Sequence, residues 1–297
     1  MNTATIPQQN ASSSRFQTKR ALVAYMSDQE KHNILIGQPP LLGEELAKLE
    51  QTIAQYNAAR MARPKYTPIT PIITESSPLL DRICSRPDII SAFKSTGMPW
   101  RPVMVDLRKI LSFQSVVRID NLADRIGTAL NNPDALLELC FPSNANIEAS
   151  IETSPQGYTI TTTSPHLMYI PSLVPVTIGN QMTPVPAFTP QTNPGFFHVV
   201  CYQGRYFIRD GYHRAVGLLY KNTDEQIVVP CILVEAQLLS QTGWQPGQSG
   251  MIAEAILLSD YLPHVSDFWD ETVSCDFIQK SKRRIFRMRL DIFEIDN

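Results

Sequence analysis

The sequence predicts an α+β protein, and three observations lead to that prediction. Apolar residues recur at helical spacing between Pro40 and Pro64, which predicts an amphipathic helix over residues 41–62. Short β-branched runs, such as residues 103–107 and 227–234, predict strands. With 297 residues, of which 43% are hydrophobic, the chain is long enough to bury a substantial core.

Charge and cysteine content narrow the class of protein. A formal net charge of −2 argues against nucleic-acid binding, because nucleic-acid-binding domains usually carry a clustered basic excess. The five cysteines are widely spaced without a CxxC pair, which suits a reducing, cytoplasmic location better than a disulfide framework or a zinc site. The polar N-terminus and the short apolar runs predict neither a secretory signal nor a membrane segment.

The N-terminal quarter divides into three stretches. Residues 1–20 are rich in Ser, Thr, Asn and Gln, which predicts a disordered tail. Residues 21–78 form a helical segment and a linker: the apolar stripe of helix 41–62 needs a partner, either the core of this chain or another protein, and the Thr- and Pro-rich residues 66–78 suit extended chain.

Residues 79–240 are expected to form the main domain. After the strand at residues 103–107, Asp120 or Asn121 is suited to cap a helix that presents Leu122, Ile126 and Leu130 on one face. Many prolines without helical periodicity mark an insertion at about 140–195, for which we expect extended chain and loops.

Regular structure is predicted again from Phe196. Residues 196–202 and 205–209 read as strands joined by a turn at Gln203-Gly204, and a loop and a helix from about residue 213 follow. In the C-terminal part, residues 241–297, we expect a helix at 251–262 and a final strand at 286–292, both packed on the core. The basic run at 280–289 reads as a strand with a solvated face.

The predicted strand-to-helix junction, "RDGYHRA" at residues 209–215, concentrates polar chemistry. The first N–H groups of a helix are unpaired and carry partial positive charge, and Gly211 lets backbone approach a ligand closely. His213 and Arg214 add donors suited to phosphate oxygens. Asp210 is suited to cap the helix, to accept from a ligand hydroxyl or to hold Mg²⁺. Alternatively, Asp210 only caps the helix, His213 is half-buried and Arg214 pairs with a surface carboxylate.

Two segments resemble the ParB/sulfiredoxin-like superfamily: "IRDGYHRAVGLL" is similar to its D-G-x-H-R segment, and "VMVDLRKILSFQSVVR" is similar to the strand and glutamine-containing box that open the domain. The resemblance covers residues from about 100–120 to 235. It implies a ParB/sulfiredoxin-like core in which the loop at Gly211, Tyr212, His213 and Arg214, with Gln114 and Arg118, binds a nucleotide (ATP, ADP or CTP). Asp210 then lies near the reacting or Mg²⁺-bound oxygens.

The chain departs from the superfamily in three respects. Tyr212 stands where sulfiredoxins have their catalytic cysteine, and a phenol cannot perform that sulfur chemistry. Gln114 stands near the position of the glutamate base of the similar serine kinases, which leaves Glu148, Asp106 or Asp120 as substitutes. The C-terminal part has no clear helix-turn-helix of the ParB type.

The preferred hypothesis is a nucleotide- or phosphate-binding protein, with Mg²⁺-dependent phosphoryl transfer or nucleotide hydrolysis as its enzymatic form and with Asp210 and His213 as catalytic residues. One alternative is a non-catalytic interaction or scaffold protein that keeps the fold and binds a protein partner through helix 41–62. The other is a nuclease or a DNA-bound partition-like factor, which requires the basic run at 280–289 to lie beside the loop.

Overall fold

The structure is a computed structural model, and it describes residues 16–36, 43–120, 122, 126–142, 149–154, 157–162, 167–178, 181–192, 195–221, 226–245, 248, 250–280 and 284–289. Helices and mixed sheets both occur, so the predicted α+β class is confirmed. No helix within these ranges has the length and the apolar content that crossing a membrane requires.

A six-stranded mixed sheet forms the centre of the fold. Its strands, in spatial order, are β2 (Ile72–Thr74), β3 (Trp100–Asp106), β12 (Val228–Ala236), β10 (His198–Tyr202), β11 (Arg205–Asp210) and β4 (Leu111–Ser112). β10 pairs antiparallel with β11 and parallel with β12, while β4 pairs parallel with the middle of β11. The parallel pairing places the segment after β4 beside the end of β11.

The hairpin between β10 and β11 turns where the sequence predicts it. Gln203 and Gly204 have φ values of 51° and 71°, the left-handed backbone that tight hairpins require. The predicted strands at 103–107 and 227–234 and the helix after Gly211 are also confirmed, each within a few residues of its expected ends.

A three-stranded antiparallel sheet joins distant parts of the chain. β1 (Phe16–Ala21) lies between β13 (Cys275–Lys280) and β5 (Val116–Arg118). Residues 16–20, which composition assigned to the disordered tail, therefore form a strand. Their polar side chains are compatible with a strand because the ladder is built from backbone groups contributed by two distant segments.

Helices cover the sheets. They are α1 (Asp28–Ile36), α2 (Glu44–Met61), α3 (Pro78–Cys84), α4 (Pro87–Lys94), α5 (Pro133–Cys140), α6 (Tyr212–Lys221) and the single turn α7 (Glu254–Leu257). α2 confirms the predicted amphipathic helix, and it buries Leu49 and Ile53 within this chain. Part of its apolar stripe is thus covered by its own core, while Leu46 and Met61 stay exposed.

The Pro- and Thr-rich insertion forms more strand than expected. β6 (Ala149–Ser154) and β7 (Gly157–Thr162) pair with each other, and β7 also pairs with β14 (Arg284–Arg289) near the C-terminus. β8 (Leu167–Ile178) and β9 (Gln181–Thr192) form a hairpin of two 12-residue strands.

Proline placement explains how the hairpin tolerates so many prolines. All of them fall on alternate register pairs, namely Tyr169↔Pro190, Pro171↔Phe188, Leu173↔Pro186 and Pro175↔Pro184. In an antiparallel pair, alternate residues direct their N–H groups away from the partner strand, so proline at these positions removes no hydrogen bond of the ladder. The same prolines remove N–H donors from the outer edges, which discourages pairing with a further strand.

Of two further predicted helices, one is shorter than expected and the other is described only in part. The expected helix 251–262 is reduced to α7, because the backbone N–H of Ile252 bonds to the carbonyl of Phe113 and Gln114 bridges Met251. The helix expected after residue 120 lies partly outside the described residues, but Leu122 and Ile126 are helical and buried as the sequence predicts. Asp120 accepts from the N–H of Thr18 at 2.9 Å. The last residues of the expected strand 286–292 also lie outside the described residues.

Candidate functional site

The polar junction lies between β11 and α6 and depends on Gly211. Gly211 has a φ of 101°, a conformation that L side chains rarely adopt. A Cβ at this position would lie 2.8 Å from Cδ2 of Phe197, so a side chain would also collide with the core. The left-handed residue turns the chain sharply from the strand into the helix, whose first N–H groups have no acceptor within the helix.

Tyr212 connects the two polar segments of the sequence. Its side chain is buried, and its phenol donates to the carbonyl of Ile208 at 2.5 Å and accepts from the N–H groups of Phe113 at 2.9 Å and Gln114 at 3.2 Å. Burial raises the pKa of this phenol far above its usual value, so it stays neutral. Tyr212 therefore holds the segment after β4 against the start of α6, and its hydroxyl faces protein on all three bonds.

Arg214 contacts the end of another helix. Its Nη1 donates to the carbonyls of Leu139 at 3.1 Å and Cys140 at 3.2 Å, the last residues of α5. No N–H group within α5 donates to these two carbonyls, and the helix dipole favours a cation at this end of the helix. The side chain is only 16% exposed, and its Nη2 lies 3.5 Å from Oδ1 of Asp210. Most of the guanidinium is thus engaged with protein.

Asp210 is the last residue of β11, directly before the turn into α6. Its Oδ1 accepts from the N–H of Gly211 at 2.6 Å, and the side chain keeps 45% of its surface exposed. A Cβ at Gly195 would lie 2.6 Å from Oδ2 of Asp210, so Gly195 leaves the space that the carboxylate occupies. Sequence reasoning missed Gly195, which lies three residues before the start of β10.

His213 and Arg118 meet beside the helix start. His213 is exposed, and its Nε2 accepts from the backbone N–H of Arg118 at 3.4 Å. The Nε of Arg118 is buried and has no hydrogen-bond partner within the described ranges. A buried donor of this kind costs free energy unless an acceptor reaches it.

Gln114 lies two residues before β5 and lines a cavity of about 430 Å³. The cavity combines apolar side chains with polar ones; its lining includes Met26, Phe277, Lys19, Asn33 and Gln279. Val116 also lines it and is two residues from Arg118, which is about 7 Å along a strand. The hydrogen bond between the backbone N–H of Gln114 and the phenol of Tyr212 therefore connects the wall of this cavity to the junction.

The carboxylates considered as substitute bases lie elsewhere. Asp106 is buried, caps the 3₁₀ turn at residues 107–109 through the N–H of Arg108 and accepts from Gln226 at 3.2 Å. Asp120 holds the backbone of Thr18. Glu148 lies outside the described residues. The structure thus gives Asp106 and Asp120 structural partners.

His198 belongs to the core beneath the junction. It is 8% exposed, its ring lies 4.9 Å from that of Phe93 in a T-shaped contact, and its Cα pairs with that of Asp210. Burial, with a smaller contribution from the cationic Arg209, lowers its pKa to about 3. The imidazole is therefore neutral at physiological pH, and its buried Nε2 has no hydrogen-bond partner among the described residues.

A metal at this junction would depend on the ligand. No group of three or more His, Cys, Asp or Glu side chains converges in the part of the chain that the structure describes. Mg²⁺ needs no such group when it binds with a nucleotide, because phosphates and water complete its shell around one or two carboxylates. Asp210 is exposed enough to supply that carboxylate.

Fold and site together define an α+β protein in which a strand, a left-handed glycine and a helix bring two distant polar segments into contact. The chain matches no protein-family model, and no curated protein or solved structure is significantly similar to it.

Proposed function

We propose that the chain binds the phosphate groups of a nucleotide at the start of α6, within a ParB/sulfiredoxin-like core. The observation that carries this proposal is the combination of two features. The first N–H groups of α6, after Gly211, have no acceptor within the helix. The buried Nε of Arg118, beside His213, has no hydrogen-bond partner among the described residues. Helix N–H groups and a guanidinium donor at one place suit an oxyanion.

The contacts of the motif residues suggest a different role for each of them in binding the nucleotide. His213, exposed beside Arg118, donates to a phosphate oxygen, and Asp210 orients a hydroxyl or water or holds Mg²⁺. Arg214 acts through the scaffold, because its guanidinium holds the end of α5. Gly211 and Tyr212 set the course of the backbone, and the cavity beside Gln114 accommodates the nucleoside.

The enzymatic form of the proposal is phosphoryl transfer or hydrolysis with Mg²⁺. Phosphoryl transfer requires positioning and charge stabilisation more than covalent chemistry by the protein. Asp210 and His213 are the side chains at the junction that are accessible to a reacting group. The free cysteines fit a reducing, cytoplasmic location, which is part of the same proposal.

Calorimetric titration with ATP, ADP, CTP and GTP, each with and without Mg²⁺, tests the proposal. We expect one nucleotide to bind, His213→Ala to weaken it about tenfold through loss of one charge-assisted hydrogen bond, and Asp210→Asn to reduce the contribution of Mg²⁺. His32→Ala is the matched control, because His32 lies on α1 and contacts the backbone of Asp28. Equal affinity in His213→Ala and His32→Ala would refute a site at the start of α6.

A second candidate, a non-catalytic interaction protein, is favoured by the internal contacts of Arg214 and Tyr212. In that case the polar junction is a structural connection, and the exposed Leu46 and Met61 of α2 belong to a partner surface. Absence of binding by all four nucleotides at millimolar concentration would favour this candidate over the first.

A further inference from the structure

A second cavity, of about 240 Å³, lies away from the junction and is lined by basic side chains. Arg63, Lys65, Arg108 and Lys109 all line it, and none of its described lining residues is acidic. None of the residues assigned to the α6 site contributes to it either. The cavity therefore has a cationic lining and is independent of the proposed nucleotide site.

Arg63 forms a fixed part of the lining. Its Nη1 donates to Oδ1 of Asp267 at 3.0 Å, and its Nη2 pairs with Asp270. Asp267 is 4% exposed and is also held by the phenol of Tyr25 at 3.1 Å. Both carboxylates orient the guanidinium, and neither of them lines the cavity, whereas Arg63 and Tyr25 do.

Arg108 and Lys109 come from the 3₁₀ turn that follows β3. Oδ1 of buried Asp106 accepts from the N–H of Arg108 at 3.1 Å and fixes this turn. Lys109 lies 3.7 Å from Oδ2 of the same carboxylate and keeps 40% of its side chain exposed. The two neighbouring cations are thus anchored by their backbone, and the Lys109 ammonium remains accessible to a ligand.

Aromatic and aliphatic side chains complete the cavity. Tyr66 is held between Arg205, whose guanidinium carbon lies 5.6 Å from its ring centre, and His264, whose ring lies 6.4 Å away. Tyr261, Leu262 and Ile69 add apolar surface. A fixed ring beside cations suits a ligand that has both a flat apolar body and a negative group.

We infer that this cavity binds a small organic anion, with its phosphate or carboxylate group among Arg63, Arg108 and Lys109 and its apolar body against Tyr66. Guanidinium groups bind both kinds of oxyanion through paired N–H donors. The volume suits a molecule the size of a substituted ring rather than a whole nucleotide.

Calorimetry at low ionic strength with phenyl phosphate, benzoate, inorganic phosphate and phenol tests the inference on the full chain. We expect phenyl phosphate or benzoate to bind at least tenfold more tightly than inorganic phosphate and phenol, because only the first two combine ring and charge. Preference for phenyl phosphate over benzoate would identify the natural group as a phosphate, and the reverse would identify a carboxylate.

Variants then locate the bound probe. Lys109→Gln and Arg108→Gln each remove one charge and should weaken binding about tenfold. The controls Lys94→Gln and Arg82→Gln remove the same charges from exposed positions on α4 and α3 and should leave affinity unchanged. His213→Ala should also leave it unchanged, which separates this cavity from the start of α6. Lack of binding by both ring anions, or equal loss in variants and controls, would overturn the inference.

Discussion

The phenol of Tyr212 accepts a hydrogen bond from the backbone N–H of Gln114 at 3.2 Å, across a sequence separation of 98 residues. The same oxygen accepts from Phe113 and donates to Ile208, so one side chain links β11, α6 and the segment after β4. This link brings the two polar segments of the sequence together in space.

Removing that hydroxyl should destabilise the protein. Tyr212→Phe leaves two backbone N–H groups and one carbonyl without their partner in a buried place, and we expect a loss of about 2–4 kcal/mol in the free energy of unfolding. Urea denaturation measures it. Tyr220→Phe on the same helix is the control: Tyr220 is 54% exposed and keeps its ring contact with Trp269, so a change within about 0.5 kcal/mol is expected. Equal effects would show that the buried hydroxyl contributes little.

Gly211→Ala should be more costly than an equivalent change in a turn. Both Gly211 and Gly204 have positive φ, 101° and 71°, but a Cβ meets Phe197 only at Gly211 and meets nothing within 4 Å at Gly204. We expect Gly204→Ala to cost about 1–2 kcal/mol from backbone strain and Gly211→Ala about 1–3 kcal/mol more from the collision. Thermal and urea unfolding measure the difference. Equal losses of stability in the two variants would mean that the Phe197 ring moves aside at no cost in free energy.

Arg214→Lys separates a structural role from ligand binding. One ammonium cannot reproduce both the Nη1 contacts with the carbonyls of Leu139 and Cys140 and the approach of Nη2 to Asp210, so we expect a loss of about 1–2 kcal/mol of stability. Arg82→Lys, which changes an exposed pair with Asp134, should alter stability by less than about 0.5 kcal/mol. If a nucleotide binds, its affinity should change less than twofold in Arg214→Lys. A tenfold weaker affinity would place the guanidinium on the phosphate.

His198 predicts a pH dependence of stability. Its pKa of about 3 in the folded protein lies below the ordinary 6.5. The unfolded chain therefore binds a proton first as pH falls, and the stability present above pH 6.5 is lost progressively below it, down to about pH 3. Between pH 6.5 and 5, His198 should account for a loss of about 2 kcal/mol.

The comparison protein for this effect is His198→Leu, which removes the titrating group from the same core position. Urea unfolding from pH 7.5 to 5 should show wild-type protein losing stability faster than the variant. His264, whose pKa burial also lowers, is present in both proteins and cancels from the difference. Parallel profiles would contradict the prediction.

Local sequence was enough to predict elements whose structure depends on near neighbours. The stripe of α2, the Gln203-Gly204 turn and the strand-loop-helix around Gly211 all follow from periodicity and backbone preference. The polar residues of the candidate site were found for the same reason, since they lie within one short junction or in one segment after β3.

Distant partners decided the rest. Residues 16–21, which are mostly polar, form a strand because residues 116–118 and 275–280 supply its ladder. Residues 258–262 leave the expected helix because the chain on either side of them pairs with the segment around β4. The structural role of Arg214 could not be predicted from local sequence either, because its acceptors lie 74 and 75 residues away at the end of α5. Sequence by itself determined the secondary-structure elements named above and the polar junction, whereas only the tertiary structure decided which segments they pair with. The reason is that periodicity reports local preference, while hydrogen bonds between distant segments depend on how the whole chain packs.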